Sequence, residues 1–204
     1  MRATLIAIAL TRSAPTTWTF EKDEVGKPPA GFEFVTTAKT PAGKWEVRQD
    51  GDTKVLAQLD AGELGSRFAM AVVREGSFRD LRLSVRGKPI SGKKDQAVGL
   101  VWRYKDPDNY YVARSNVLEQ NVNVYRVVGG KRKELTGKDY VDLKTGAWHT
   151  LRVEHKGAAI AVFLGDQKVV DLEDKTFSDA GKVGLWIKAD SVTQFDDLSV
   201  EELK

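Results

Sequence analysis

The 204-residue chain has no cysteine, and that one absence removes disulfide staples, thiolate metal sites and cysteine nucleophiles together. Histidine is scarce as well. The two present, His149 and His155, fall on one stretch with no third ligand beside them, which leaves no histidine-based zinc site. No G-x-S-x-G turn exists to present a serine nucleophile, so a serine-hydrolase triad is excluded. No apolar run approaches the ~20 residues of a membrane-spanning helix. The charges, 32 basic against 29 acidic for a net +3, are interleaved, and without a basic stripe nucleic acid is not an expected partner. The densest basic cluster, GGKRKEL at Gly129 to Leu135, reads as a solvated hairpin tip.

What is present is alternation. After Trp18 nearly every segment reads in period two, in runs of five to ten residues punctuated by glycine and polar turns. Strands are expected at Trp45–Asp50, Lys54–Leu59, Phe68–Arg74, Asp80–Arg86, Ala97–Lys105, Tyr110–Ser115 and Asn121–Val128. They continue at Lys133–Leu135, His149–Glu154, Ala159–Leu164, Gln167–Leu172, Val183–Ala189 and Phe195–Glu201. Hairpin turns are legible at Asp50–Asp52, Val128–Lys131, His155–Ala158 and Leu164–Gln167. Helical periodicity is missing except for one short turn expected around Leu56 to Leu64, which Gly62 and Gly65 interrupt. The adjacent prolines in GKPPAGFEF, Gly26 to Phe34, make that segment a loop. This number of short strands in a chain of this length reads as one all-β domain, a two-sheet antiparallel β-sandwich over residues 16–204. Residues 1–15 stand apart: Arg2 followed by the apolar stretch Ala3 to Leu10 has the form of either a short secretory signal or an ordinary strand, the first giving the expected periplasmic or extracellular location and the second leaving a cytoplasmic one open.

Four segments carry a resemblance: VGLVWRYKDPDNYYVAR (Val98 to Arg114), NVNVYRVVGGKRKEL (Asn121 to Leu135), WHTLRVEHKGAAIAVFLGDQKVV (Trp148 to Val170) and GKVGLWIKADSVTQFDDLSV (Gly181 to Val200). Together they resemble the concanavalin A-like, laminin-G-like jelly rolls, in particular the bacterial branch that includes 3-keto-disaccharide hydrolases. The resemblance implies a jelly-roll order in which the closing FDDLSV strand returns beside the first strand, WTFEKD at Trp18 to Asp23. The FNGKDLxGW type of opening that the hydrolase branch tends to have is not found here.

Such a fold implies sugar binding on a concave sheet, with aromatic faces stacking on sugar rings and amides or arginines reaching hydroxyls. Parity selects the candidates. Val98, Leu100, Trp102 and Tyr104 share one face, leaving Gly99, Val101 and Arg103 on the other. Val122 and Val124 are core, leaving Asn121, Asn123 and Tyr125. Val183, Leu185 and Ile187 are core, leaving Gly184, Trp186 and Lys188. With Arg114, the expected carbohydrate-binding face is Arg103, Arg114, Asn121, Asn123, Tyr125 and Trp186, while Trp102 and Trp148 are packing residues.

Glycoside hydrolysis asks for a pair of carboxylates, and the E-x-D-x-E strand used by retaining enzymes of this fold does not occur. Glu119 is the one acid near the expected face. The resemblance also implies a calcium ion where first and last strands meet, for which Glu21 or Asp23 with Asp196 or Asp197 would supply oxygens. The leading expectation is a non-catalytic, lectin-like glycan-binding domain. A glycoside hydrolase or lyase acting on 3-keto-glycosides, and a structural protein-interaction module, are the alternatives.

Overall fold

The computed structural model describes residues 14–37, 40–62 and 68–204. The expected signal-like stretch therefore lies almost wholly outside the described residues, as does Gly65 of the expected helical turn. The described residues form fifteen strands. They are β1 (Thr16–Trp18), β2 (Phe32–Thr37), β3 (Trp45–Asp50), β4 (Thr53–Gln58), β5 (Phe68–Val73), β6 (Leu81–Ser91), β7 (Ala97–Asp106) and β8 (Asn109–Asn116), followed by β9 (Asn121–Val128), β10 (Lys131–Asp139), β11 (His149–Lys156), β12 (Ala159–Leu164), β13 (Gln167–Glu173), β14 (Lys182–Lys188) and β15 (Val192–Glu202). One sheet runs β13-β12-β11-β6-β15-β4-β3 with β1 also pairing to β15, and the other runs β10-β9-β8-β7-β14-β5-β2. All named strand pairs are antiparallel, and the described residues contain no helix. The chain is a jelly-roll β-sandwich of the concanavalin A-like kind.

The four hairpins read from the sequence form where expected. Asp50 pairs with Thr53, Val128 with Lys131, Lys156 with Ala159 and Leu164 with Gln167, each enclosing two turn residues. Gly129 and Gly130 both have positive φ, 54° and 74°, the backbone that a tight turn matching the strand twist demands and that a side chain resists. At the N-terminal end the first strand is Thr16–Trp18, paired with Val200 to Leu198. It does not extend to Asp23, because the chain reverses at Phe20 (φ 61°) and the Asp23 amide donates to the Phe20 carbonyl. After the two prolines the chain re-enters a sheet at once as β2, which takes in the Phe32–Phe34 end of the expected loop. The Leu56–Gln58 part of the expected helical turn belongs to β4.

The sheets pack through a core that includes Leu56, Leu83, Val85, Leu100, Trp102, Tyr111, Val124, Leu151, Val153, Leu185, Ile187 and Phe195. These occupy alternate positions, as period two requires. The two outer faces then differ sharply. That of the eight-stranded sheet is a lattice of ion pairs: Arg82 with Glu154 and Glu201, Arg86 with Asp197, and Lys88 with Asp50. That of the seven-stranded sheet is apolar, a second cluster of Met70, Val72, Val101, Tyr104, Tyr110, Val112, Tyr125, Val127 and Trp186 with Val35 and Phe68. Strands buried on both faces need near-continuous hydrophobic runs, and FAMAVV, YYVA and GLWI are such runs.

Candidate functional site

Five of the six expected carbohydrate-binding residues come together on the outer face of the seven-stranded sheet. β8 presents Arg114, β9 presents Asn121, Asn123 and Tyr125, and β14 presents Trp186, with β8 and β9 in direct register (Arg114 opposite Asn123, Val112 opposite Tyr125). Trp186 lies flat on the sheet because β7 offers Gly99 beneath it. A Cβ at Gly99 would stand 2.9 Å from the indole carbon Cε3 and 2.7 Å from the Trp186 carbonyl oxygen. Phe68 stacks against the indole at 5.4 Å between centroids. Tyr104 and Tyr110 extend the floor, and the Tyr110 hydroxyl is fixed by a 2.8 Å hydrogen bond with Thr37.

The polar members are locked to one another. Arg114 donates to the Glu119 carboxylate at 2.5 Å, to Asn121 at 3.2 Å and to the Tyr125 hydroxyl oxygen at 3.1 Å. Asn121 also reaches Glu119, and Asn123 bridges the Tyr125 oxygen and Glu134 at 3.0 and 3.2 Å. Burial alone would push the Arg114 guanidinium down and the Glu119 carboxyl up. Instead Tyr125, Glu119 and Asp95 hold the guanidinium above its ordinary value, and the Arg114 hydrogen bond and charge take Glu119 below the usual carboxylate range. Glu119 is thus a fixed negative charge at the rim, its side chain 41% exposed beside an Arg114 that is 2% exposed.

Arg103 is elsewhere. β7 loses its register after Trp102, and Arg103 adopts a positive φ of 44°, which turns its side chain out of the alternation and puts Tyr104 on the outer face instead. The guanidinium ends up buried at the end of the sandwich, donating to the carbonyls of Arg79, Phe177 and Gly157. No parity argument could foresee a bulge whose signal lies in packing between sheets. The histidines face inward too. His155 accepts the Trp102 indole N–H at Nδ1 (2.8 Å) and bonds the Gly157 carbonyl through Nε2, while His149 bonds Ser115. Burial takes both well below the ordinary histidine value, to about 4.

Asp95 and Arg132 are among the residues at the face that were not anticipated. Asp95, fully buried, pairs with Lys188 at 2.7 Å and accepts from Asn116 at 2.9 Å; burial raises its carboxyl against the pull of Lys188, and its charge and that of Glu119 act on each other. Arg132, read as part of a solvated hairpin tip, instead lays its guanidinium over the aromatic floor, 4.7 Å from the Phe68 ring, 4.4 Å from Tyr125 and 5.9 Å from Trp186. The clue was parity again: Arg132, opposite Val127, has the same facing as that outer-face residue.

The four acids expected to hold calcium do not assemble. Asp23 accepts the Ala30 amide, Glu21 accepts the Lys54 amide, and Asp196 and Asp197 both lie against the Arg86 guanidinium, at 3.7 and 3.2 Å. Among the described residues, no three His, Cys, Asp or Glu side chains are grouped to hold a metal.

A family model for the 3-keto-alpha-glucoside-1,2-lyase-like domain matches residues 18–201. The chain belongs to this family. Among solved structures, carbohydrate-binding module CBM66 from Bacillus subtilis superposes with a TM-score of 0.65 at 20% identity, covering 83% of this chain and 95% of that one. A native glycosidic hydrolase superposes at 0.61 with 13% identity over 98% and 97%. The exoplasmic/lumenal domain of VIP36 in its Ca2+/Man-bound form superposes at 0.57 with 11% identity over 85% and 83%. These likenesses establish a shared sandwich. No curated protein matches the chain by sequence. Among the described residues, no helix is long and apolar enough to cross a membrane.

Proposed function

We propose that this domain binds a glycan on the outer face of its seven-stranded sheet, as a lectin-like module working outside the cytoplasm. The observation that carries the reading is the contrast between the two outer faces. One is neutralised by ion pairs, whereas the other lays half-buried Phe68 and Arg132 over the buried rings of Trp186 and Tyr125, beside a preorganised polar margin of Arg114, Asn121, Asn123 and Glu119. Aromatic floors with a few fixed polar groups suit sugar rings, whose faces are apolar and whose edges carry hydroxyls. The three superposed neighbours described above include a carbohydrate-binding module and a lectin-fold domain solved with a sugar, which supports the same reading. The test is retention on a panel of immobilised glycans, comparing wild type with Tyr125→Phe. That change keeps the ring and deletes the oxygen that Arg114 and Asn123 hold, so retention should fall about tenfold with the fold intact. Equal retention on every glycan rejects the face.

Family membership favours a second reading, a lyase acting on 3-keto-glycosides. Elimination across C1 and C2 needs a base for the proton beside the keto group and a route for the departing C1 oxygen to gain a proton. Glu119, held ionised, would be the base. The departing C1 oxygen would take its proton from water. Product released from 3-keto-glycosides by wild type and not by Glu119→Gln would establish this reading; retention without product would reject it.

A further inference from the structure

A cleft of about 370 Å³ opens between β1 of the eight-stranded sheet and the β2 and β5 edge of the seven-stranded one, across that sheet from β8 and β9. Trp18 and Phe78 line it with Val73, Thr16 and Glu75, and Gly31 and Gly76 complete its wall. The volume falls in the ~300–1,000 Å³ range of small-ligand sites. Unlike the rings of Trp186 and Tyr125, those of Trp18 and Phe78 are only half-buried, so a ligand can reach them.

Both rings are held in place by the fold itself. The Phe78 amide and carbonyl exchange hydrogen bonds with Gly181 at 2.9 and 3.1 Å, and the ring lies against Gly76, where a Cβ would stand 2.8 Å from ring carbons Cε2 and Cζ. Gly76 has a φ of 92°, so both the backbone and the ring require glycine there. Trp18 is fixed by the pairing of β1 with β15 and packs edge-on against Phe32, 6.2 Å between centroids. Nothing stands within 4 Å of the Cβ position at Gly31, which leaves that wall open.

The polar groups of the cleft are unspent. The Trp18 indole N–H, the Thr16 hydroxyl and the Glu75 carboxylate have no hydrogen-bond or ion-pair partner among the described residues. They supply a donor, a hydroxyl of either sense and an acceptor beside apolar walls. Arg74, next to Glu75 in the chain and tied by its Nε to the Phe32 carbonyl at 2.8 Å, offsets the carboxylate charge, so the cleft does not select an ion. The matching ligand is neutral, has apolar C–H faces and carries hydroxyls that both donate and accept. We infer that this cleft is a second glycan site, which takes one neutral hexopyranose ring against Trp18 and Phe78 and bonds its hydroxyls to Glu75, Thr16 and the Trp18 N–H. The cleft shares a ligand class with the outer-face site and none of its residues.

The experiment is a titration of nitrogen-15-labelled protein with cellotetraose, mannotetraose and galactotetraose, and with choline as a cationic probe, reading indole signals assigned by Trp→Phe variants. At least one of the three sugars should move the Trp18 indole signal to saturation. Glu75→Ala should weaken that response about tenfold while melting as wild type does, because Glu75 has no partner within the fold to lose. Tyr125→Phe should leave the Trp18 response unchanged. A Trp18 signal that no sugar moves overturns the inference, and so does an unchanged affinity in Glu75→Ala. Choline moving Trp18 at lower concentration than every sugar overturns the neutral-ligand assignment. Loss of the Trp18 response in Tyr125→Phe shows one site rather than two and overturns it as well. Movement of Trp186 alone leaves the outer-face reading standing without the cleft; movement of Trp18 alone does the reverse.

Discussion

Replacing His155 by glutamine makes the acid sensitivity of the fold measurable. His155 is fully buried, receives the Trp102 N–H at Nδ1 and must therefore carry its own proton on Nε2, where Gly157 accepts it. The ring is neutral in the folded state, and burial takes it from the ordinary 6.5 to about 4. The sign follows directly. Above pH 6.5 both states are neutral and the full stability is present; between 6.5 and 4 the unfolded chain takes up a proton that the folded chain refuses, and stability falls. The loss attributable to this residue from pH 7 to pH 5 is about 2 kcal/mol, from 1.36 kcal/mol per pKa unit. Glutamine can present an amide oxygen to Trp102 and an amide N–H to Gly157 but does not titrate. Urea unfolding at pH 7, 6 and 5 should therefore show wild type losing about 2 kcal/mol more than His155→Gln across that interval, whatever the offset between the two at pH 7. Parallel pH profiles for the two proteins would refute the reasoning.

Trp102→Phe removes the donor from His155 Nδ1 and leaves a buried acceptor unmet, so it should cost about 1–3 kcal/mol beyond the lost packing in denaturant unfolding. Gly99→Ala forces a Cβ against the Trp186 carbonyl and ring, and should shift the near-ultraviolet circular dichroism while lowering the melting temperature. Because no three acids among the described residues are grouped to hold a metal and Arg86 lies against Asp196 and Asp197, excess chelator should leave the melting temperature unmoved, and a clear drop would show that a cation is bound.

Much of the sandwich was legible because its rules are local. Alternation gave Trp45–Asp50, Asn121–Val128 and Ala159–Leu164 to the residue, and glycine-bearing two-residue turns gave the hairpins between them. What escaped is set by long-range packing. Arg103 leaves its face at a bulge that only the inter-sheet geometry demands, and Phe32–Thr37 becomes a strand because β5 offers it an edge. The site was half legible for the same reason. Parity put Arg114, Asn121, Asn123, Tyr125 and Trp186 on one side, but charge density alone sent Arg132 to solvent when facing sent it to the aromatic floor. Parity also put Val101 there, but Met70 and Val72, in a strand apolar at every position, carry the same residue types as the core and could not be told from it without knowing that a second cluster exists.

The central claim is that the outer face of the seven-stranded sheet receives the sugar, and the five tryptophans report on it separately. Nitrogen-15 spectra recorded during titration with any glycan the protein retains, with indole signals assigned by Trp→Phe variants, distinguish the faces. The account predicts that the Trp186 indole and the Arg132 Nε–H move together while Trp148, held between Arg86 and Lys88 on the opposite sheet, stays still. Movement of Trp148 with Trp186 unmoved would contradict it.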